Sequence, residues 1–383
     1  MNQDRKNDRL LLWITVLLWF SLYVYTPYLS PHLERLGLGV STIGVIIGAY
    51  GFSQLLLRVP ISIGDDRTGR HRLFMLLGLL AIAAGSLLPL IHENAAIYLV
   101  FRALAGVGAS TWVCYTVAYA SGGRERMAQI VNANNLGILL SFFAGNILYM
   151  ALGIRALYGA SIASAAAALV LIAFWKPRNG ETQPAFHWGD FLRLLKNRPL
   201  WLYSLLMALG QLVVFATAMS FTANYAKELG AGTLALTLLS VAFYGAGMLA
   251  SWLTGRKMFA RWKDKTLLAS GFGMMAVYCL LLPVMQSPAG VIGVQLLGGF
   301  GRTVLYTLLM DKAIQGIAPN QKTTAMGIFQ SVYSLGMTMG SAVMGWLMDV
   351  LGGYGAAFIV MGVISVVGAA WCLFGCKTYE RTE

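Results

Sequence analysis

Residues Gly64–Phe74 read GDDRTGRHRLF. Two adjacent acids, Asp65 and Asp66, three arginines, Arg67, Arg70 and Arg72, and His71 stand here between two long apolar runs. The rest of the chain sets the contrast. Of its 383 residues, 58% are hydrophobic and 11% charged, and the mean hydropathy is +0.68. A soluble globule carries roughly 25% charged residues, so this chain lacks the polar exterior that its apolar surface would need in water. A bilayer is the simpler solvent. Crossing one takes a helix of about 20 apolar residues, or a closed barrel of alternating strands. These runs do not alternate. The charged stretch is then a turn at a membrane face.

Working outward from that turn, twelve helical spans are expected, at 10–33, 41–63, 73–91, 96–121, 128–151, 155–175, 199–225, 233–254, 266–285, 289–310, 323–348 and 354–375. The alternative count merges or loses the short third and ninth spans. Basic residues collect on cytoplasmic loops, which tests the count. With the N-terminus inside, the inner segments hold Arg5, Lys6, Arg9, Arg67, Arg70, Arg72, Arg124, Arg126, Lys176, Arg178, Arg193, Lys196, Arg198, Arg256, Lys257, Arg261, Lys263, Lys265, Lys312, Lys322, Lys377 and Arg381. The outer loops hold Arg35, Arg155 and Lys227. The net charge of +13 is thus mostly a topology signal facing anionic lipid, not a nucleic-acid surface. The expected location is a bacterial-type inner membrane with both termini cytoplasmic. The first run is too long for a signal-peptide core and lacks a small-residue cleavage site, so it reads as a retained span.

Residues 176–198, KPRNGETQPAFHWGDFLRLLKNR, are polar. They are expected to form a cytoplasmic linker whose amphipathic piece, Phe186–Leu195, lies on the membrane surface. The expected fold is an all-α polytopic membrane protein, with twelve transmembrane helices in two pseudo-symmetric six-helix bundles, residues 1–175 and 199–383. The halves resemble each other. LERLGLG (Leu33–Gly39) aligns with AKELGAG (Ala226–Gly232) at an offset of 193, and RALAGVG (Arg102–Gly108) with QLLGGFG (Gln295–Gly301) at the same offset. Carried on, that offset sets Ser62 against Gly255 and the opening stretch against KMFARWKDK. Gly137 pairs with Gly336 at 199. Parallel repeats of this size suit a transporter that rocks two halves about a midplane site. Duplication for packing alone is the competing reading.

SIGDDRTGRHR (Ser62–Arg72) resembles the loop signature of the major facilitator superfamily, Gly-x-Leu-x-Asp-Arg-x-Gly-Arg-Arg/Lys. Asp66, Arg67, Gly69 and Arg70 match it. Ser62 and Gly64 replace the usual glycine and leucine, Asp65 is an extra acid, and His71 takes a basic position. RALAGVGA (Arg102–Ala109) resembles the family's span-four motif, Arg-x-x-x-Gly-x-Gly. The resemblance covers the whole chain, including a degenerate second loop at Gly255–Lys265 with Phe259 where Asp66 stands. It implies a secondary transporter in which spans 1, 4, 7 and 10 line a cavity. It also implies that Asp66, Arg67, Gly69 and Arg70, with Arg58 nearby, gate the protein by holding the halves together in the outward-facing state. A carboxylate there suits an exposed helix N-terminus; the competing reading is an ordinary basic loop. Ser141-Phe142 stands where the family's antiporters carry a Gly-Pro pair in span five, which weakens a drug/proton antiporter assignment.

Arg58, Arg102 and Arg302 lie within spans 2, 4 and 10. An arginine at the centre of a membrane helix costs at least roughly 2.5–3.5 kcal/mol. Arg58 is near an inner helix end and can snorkel. By the resemblance, Arg102 and Arg302 approach from opposite halves, and two cationic walls imply an anionic solute. The structural alternative is that each bonds carbonyls and a nearby tyrosine. Tyr25, Tyr28, Tyr115, Asn135, Gln211, Tyr244, Tyr306, Gln330 and Tyr333 complete the candidate substrate-binding set. Every acid lies in a loop, a terminus or a span end, so Glu34, Asp66 and Asp311 are the candidates for proton coupling. Coupling through the solute's own ionisation, or through a counter-transported anion, stays open.

The expected function is secondary active transport of a small organic solute, anionic or zwitterionic, by alternating access, with a lean to efflux. The alternatives are a proton-coupled uptake symporter of an organic anion or metabolite, and a non-transporting membrane sensor of the same fold. The expected partners are the solute, membrane lipids, and protons or a counter-anion, on a monomer without nucleic acid. Neither a phosphate loop nor a metalloprotease motif occurs, which argues against a pump driven by ATP and against a membrane enzyme. Cys114, Cys279, Cys372 and Cys376 sit in or at the ends of apolar runs without metal-ligand company, so no metal or cofactor is expected.

Overall fold

The structure is a computed structural model that describes residues 2–120, 123–176, 186–256 and 262–375. Residues 177–185 of the linker, Arg178 among them, lie outside these residues, as do Lys257, Phe259, Arg261, Cys376, Lys377 and Arg381. The described residues form helices and connecting turns without a strand. The helices are α1 (Asn2–Tyr23), α2 (Thr26–Arg35), α3 (Val40–Thr68), α4 (His71–Ile91), α5 (Ala95–Ser110), α6 (Trp112–Ala120), α7 (Arg124–Leu152) and α8 (Ile154–Phe174). They continue with α9 (Trp188–Leu195), α10 (Arg198–Ala216), α11 (Thr222–Glu228), α12 (Thr233–Thr254), α13 (Asp264–Leu281), α14 (Pro288–Ile314), α15 (Lys322–Leu351) and α16 (Tyr354–Ala370).

Eleven stretches of these residues are long and apolar enough to cross a bilayer. The short third and ninth spans are among them, as α4 and α13. The expected eleventh span is α15, which is 30 residues long but diluted by Gln330 and by many serines, threonines and glycines. Three expected spans are interrupted. Pro27 cannot donate a ladder hydrogen bond, and α1 gives way to α2 just before it. Thr111, between α5 and α6, turns its hydroxyl back onto the Gly108 carbonyl (2.7 Å). A π-helical turn, Thr217–Phe221, separates α10 from α11. Several helices start where a side chain accepts a backbone N–H that the helix leaves orphaned: Asn94 for Ile97, Asn197 for Leu200 and Ser287 for Gly290.

The chain divides into two compact units. The first comprises Met1–Ser121, Ala133–Leu195 and Gly316–Ser331; the second comprises Gly122–Asn132, Lys196–Gln315 and Val332–Glu383. The opening turns of α15 therefore belong to the first unit, and those of α7 to the second. In the first unit an aromatic and aliphatic core joins Val24, Tyr25, Leu29, Leu33, Ile43, Ile46, Tyr98, Phe101, Leu157 and Tyr158.

The sequence repeat is a repeat of backbone crossings. In the first unit Gly106 of α5 meets α3 so closely that a Cβ would stand 2.5 Å from the Tyr50 carbonyl oxygen. In the second, Gly299 of α14 meets α12 at the Phe243 carbonyl, closer still. Both members of that pair obey the offset of 193. The same offset relates Gly108 against the Gly78 carbonyl (2.9 Å) to Gly301 against the Gly271 carbonyl (2.6 Å). Small residues permit such approaches between membrane helices. The turns repeat as well: Gly37 and Gly230 both take left-handed backbone, at φ 78° and 88°, where other residues are strained.

Candidate functional site

The signature turn lies in the first unit, and it binds the start of α15. Asp66, in the last turn of α3, accepts the backbone N–H groups of Thr323 (3.2 Å) and Thr324 (2.6 Å). These belong to the first turn of α15, where N–H groups have no intrahelical partner and a carboxylate meets the positive end of the helix dipole. Two turns earlier on α3, Arg58 is 1% exposed. It donates from Nη1 to the Gln330 carbonyl (2.7 Å) and from Nη2 to the Gln54 side chain. Arg58 is therefore sequestered, not snorkelling. Gly327 lies between these ties, where any side chain would strike Ser62.

Asp65 faces elsewhere. It is fully buried, and one of its oxygens lies 2.5 Å from Nδ1 of His71, the first residue of α4. Gly69 closes α3 at φ 62° and donates its N–H to the Asp65 carbonyl (2.8 Å). The Arg67 guanidinium lies 5.4 Å from the Trp188 ring centroid on α9, and Arg70 is exposed at the cap of α4.

The second unit ties the start of α7 by different chemistry. Ser251, the repeat equivalent of Arg58, donates to the Ala128 carbonyl (2.5 Å). Gly255, the equivalent of Ser62, admits Ala128, whose Cβ would lie 3.0 Å from an added one. The equivalent of Asp66, Phe259, lies outside the described residues. An acid nevertheless serves here. Asp264, which opens α13, pairs with Arg124 and with Lys312 (2.5 Å). Sequence reading passed over it by counting Arg124 and Lys312 as topology charges.

Arg102 is 4% exposed in the first unit. Its guanidinium lies 4.5 Å from the Tyr50 ring centroid and 5.9 Å from that of Tyr25. Cation–π attraction of this kind is worth up to about 2 kcal/mol when desolvated. No carboxylate pairs with it among the described residues, and its Nε is buried without a hydrogen-bond partner. Tyr50 was missed by sequence reading, although the 193 offset places it opposite Phe243. Tyr115 is buried and stacked on Trp112 (6.3 Å). Tyr28 instead stacks on Tyr149 (4.2 Å) and donates to Asn146 (3.1 Å). Asn135 and the side chain of Gln330 are buried.

In the second unit Arg302 sits in a second aromatic collar. Its guanidinium lies 5.1 Å from the Tyr306 ring centroid, 5.7 Å from Tyr244 and 6.0 Å from Phe243. The Tyr306 and Tyr333 hydroxyls are 3.5 Å apart, and the Tyr244 hydroxyl points at the Met219 sulfur (3.7 Å). Gln211 is buried. The structure thus groups Tyr244 and Tyr306 around Arg302, with Tyr333 against Tyr306, and Tyr25 with Arg102. Of the remaining acids, Glu34 is exposed on α2 and Asp311 is half-buried near the end of α14.

The model of the Major Facilitator Superfamily matches residues 11–317 and 260–382. The chain is 24% identical over 375 residues to a probable sugar efflux transporter of Helicobacter pylori, covering 94% of this chain and 92% of that one. It is 25% identical over 365 residues to the inner membrane transport protein YajR of Escherichia coli, covering 90% and 78%. Among solved structures, the human organic anion transporter MFSD10 superposes with a TM-score of 0.81 at 18% identity, covering 96% and 99%.

Proposed function

The chain belongs to the Major Facilitator Superfamily and performs secondary transport of a small organic solute, and from that premise we propose that the solute is anionic or zwitterionic. The observation that carries this reading is Arg102. A buried cation without a counter-charge is costly unless something pairs with it, and a carboxylate or phosphate on the solute would do so. Arg302, in its own collar, serves as a second anion-binding group. Aromatic rings pack near both guanidinium groups, and a planar guanidinium matches the geometry of a planar acid group.

Alternating access would be gated where Asp66 and Arg58 hold the opening turns of α15, with Arg67, Gly69 and Arg70 shaping the loop. The halves 1–175 and 199–383, joined by residues 176–198, would be the moving bodies. Efflux is the favoured direction, in keeping with the relative described as a sugar efflux transporter. That relative also motivates a second reading, a neutral polyhydroxylated solute, which buried amides such as Gln211 and Gln295 favour. The monomer would sit in a bacterial-type inner membrane with both termini cytoplasmic, as the basic loops indicate.

The test is counterflow in proteoliposomes with a metabolite library sorted by charge. Uptake should concentrate in the organic acids and amino acids. Arg102→Gln and Arg302→Ala should each lose it by at least about tenfold while eluting as folded protein in detergent. Unchanged rates in either variant, or a neutral sugar as the sole substrate, would overturn the anion reading.

A further inference from the structure

Arg102 accounts for one end of a solute, and a cluster of rings in the same unit marks the other. Resting on the anion reading for the Arg102 end alone, we infer that the solute carries an aromatic ring, seated against Trp19 and Trp112.

Three elements of the first unit bring the rings together. On α1, Trp19 and Tyr23 stand one turn apart on the same face, with 5.8 Å between ring centroids. On α6, Trp112 meets Trp19 edge-on at 5.3 Å and stacks on Tyr115 at 6.3 Å. From α7, Phe142 meets Tyr23 edge-on at 6.2 Å. Gly137 of α7 holds Trp19 in place from behind. A Cβ added there would stand 3.0 Å from the Trp19 Cβ and closer still to the Val16 carbonyl.

A cluster built for packing alone gains nothing from polar atoms. Trp19 is 6% exposed and Tyr115 fully buried, yet the Trp19 Nε1 and the Tyr115 hydroxyl have no hydrogen-bond partner among the described residues. Buried indole N–H and phenol O–H groups ordinarily find one. Leaving them without one carries a cost that leucine or phenylalanine would avoid. Indole N–H only donates and a phenol O–H can donate, so an acceptor satisfies both. A solute ring bearing an oxygen meets both needs. Its face and edge pack on the tryptophans in the arrangements that rings prefer, and its oxygen accepts from the two donors.

Arg102 lies within reach of such a solute. Its guanidinium is 5.9 Å from the Tyr25 ring centroid, and Trp19 precedes Tyr25 by six residues, about 9 Å at helical rise. A ring with a short acid arm spans that length.

The experiment uses the full chain in lipid nanodiscs, with empty nanodiscs to subtract partition into lipid. Three probes are titrated by calorimetry: 3-(4-hydroxyphenyl)propionate, its ring-saturated counterpart 3-(4-hydroxycyclohexyl)propionate, and the neutral 3-(4-hydroxyphenyl)propionamide. The aromatic acid should bind roughly 5- to 150-fold more tightly than the saturated one, the range for two ring contacts. Trp19→Leu should abolish that preference, and Arg102→Gln should weaken both acids alike. With 15N-tryptophan, the Trp19 indole signal, assigned by its loss in Trp19→Phe, should move under the ring current of the aromatic acid. That readout is made on the unaltered chain, so the test survives poor folding of Trp19→Leu. Binding of neither aromatic probe, a Trp19 signal unmoved at saturation, or a preference that survives Trp19→Leu would overturn the inference. Equal affinity for the two acids would overturn it and leave the anion reading standing. An amide bound as tightly as the aromatic acid, and weakened equally by Trp19→Leu, would refute the anion reading and uphold the ring.

Discussion

Asp66→Asn is the most direct probe of how α15 is held. The carboxylate accepts two backbone N–H groups, from Thr323 and Thr324, at 3.2 and 2.6 Å. Neither amide has an intrahelical acceptor, because both lie in the first turn. Asparagine has nearly the same shape but keeps one acceptor oxygen, and its NH2 must face the second amide donor to donor. The loss is one hydrogen bond to a charged group, about 1.5–3 kcal/mol, together with part of the charge–dipole term, about 0.3–2 kcal/mol. A combined loss of about 2–3 kcal/mol corresponds to roughly 30- to 150-fold in an opening equilibrium. Hydrogen exchange at pH 8, followed on peptides covering residues 319–332 in nanodiscs, reads that equilibrium at the amides concerned. Protection in the first turn of α15 should fall by that factor, while Asp65→Asn should leave it unchanged. Wild-type protection in Asp66→Asn, or equal loss in both variants, would refute the reasoning.

The remaining predictions concern the crossings and the second unit. Gly106→Ala and Gly299→Ala place a methyl against a backbone carbonyl and should each cost about 1–3 kcal/mol, seen as a lower thermal midpoint in detergent. Gly159→Ala, with open space at its Cβ, should be neutral or gain about 0.5–1 kcal/mol; equal effects at all three positions would show that the crossings do not matter. For Asp264 and Arg124, a double-mutant cycle on thermal stability should give a coupling of about 0.5–1 kcal/mol. The pair is 30% and 19% exposed, so the energy is discounted for solvent, and the coupling should shrink in high salt.

How much of this was legible in the sequence depended on how far apart the partners are along the chain. The spans were legible because an apolar run of about 20 residues announces itself without any partner, and the offset of 193 survived because backbone crossings demand small residues at fixed places. Gly106 and Gly299 carry that demand visibly. The ligands of Asp66 were not legible, because they are the backbone amides of Thr323 and Thr324, and a backbone N–H has no letter of its own. Asp264 was hidden for another reason. Its partners, Arg124 and Lys312, satisfy the charge asymmetry of the loops equally well whether or not they pair with anything. Tyr50 was hidden because a tyrosine within a span reads as an anchor or a packing residue until an arginine is found above its face.

The pair Asp65-Asp66 shows why one turn carries two acids. Successive residues on a helix point about 100° apart, so adjacent side chains cannot serve the same partner. Asp66 reaches the amides of α15, and Asp65 is left facing the interior, where His71 meets it. His71 lies six residues on, across the left-handed turn at Gly69, so the turn geometry alone decides whether that second pair forms. The departures from the family signature are then linked. An extra acid buried beside the turn requires a partner, and an imidazole in the basic position supplies one within reach. The same turn thus fastens α4 through Asp65 and α15 through Asp66. A change at Gly69 that straightens the turn should separate His71 from Asp65 before it disturbs the hold on Thr323 and Thr324.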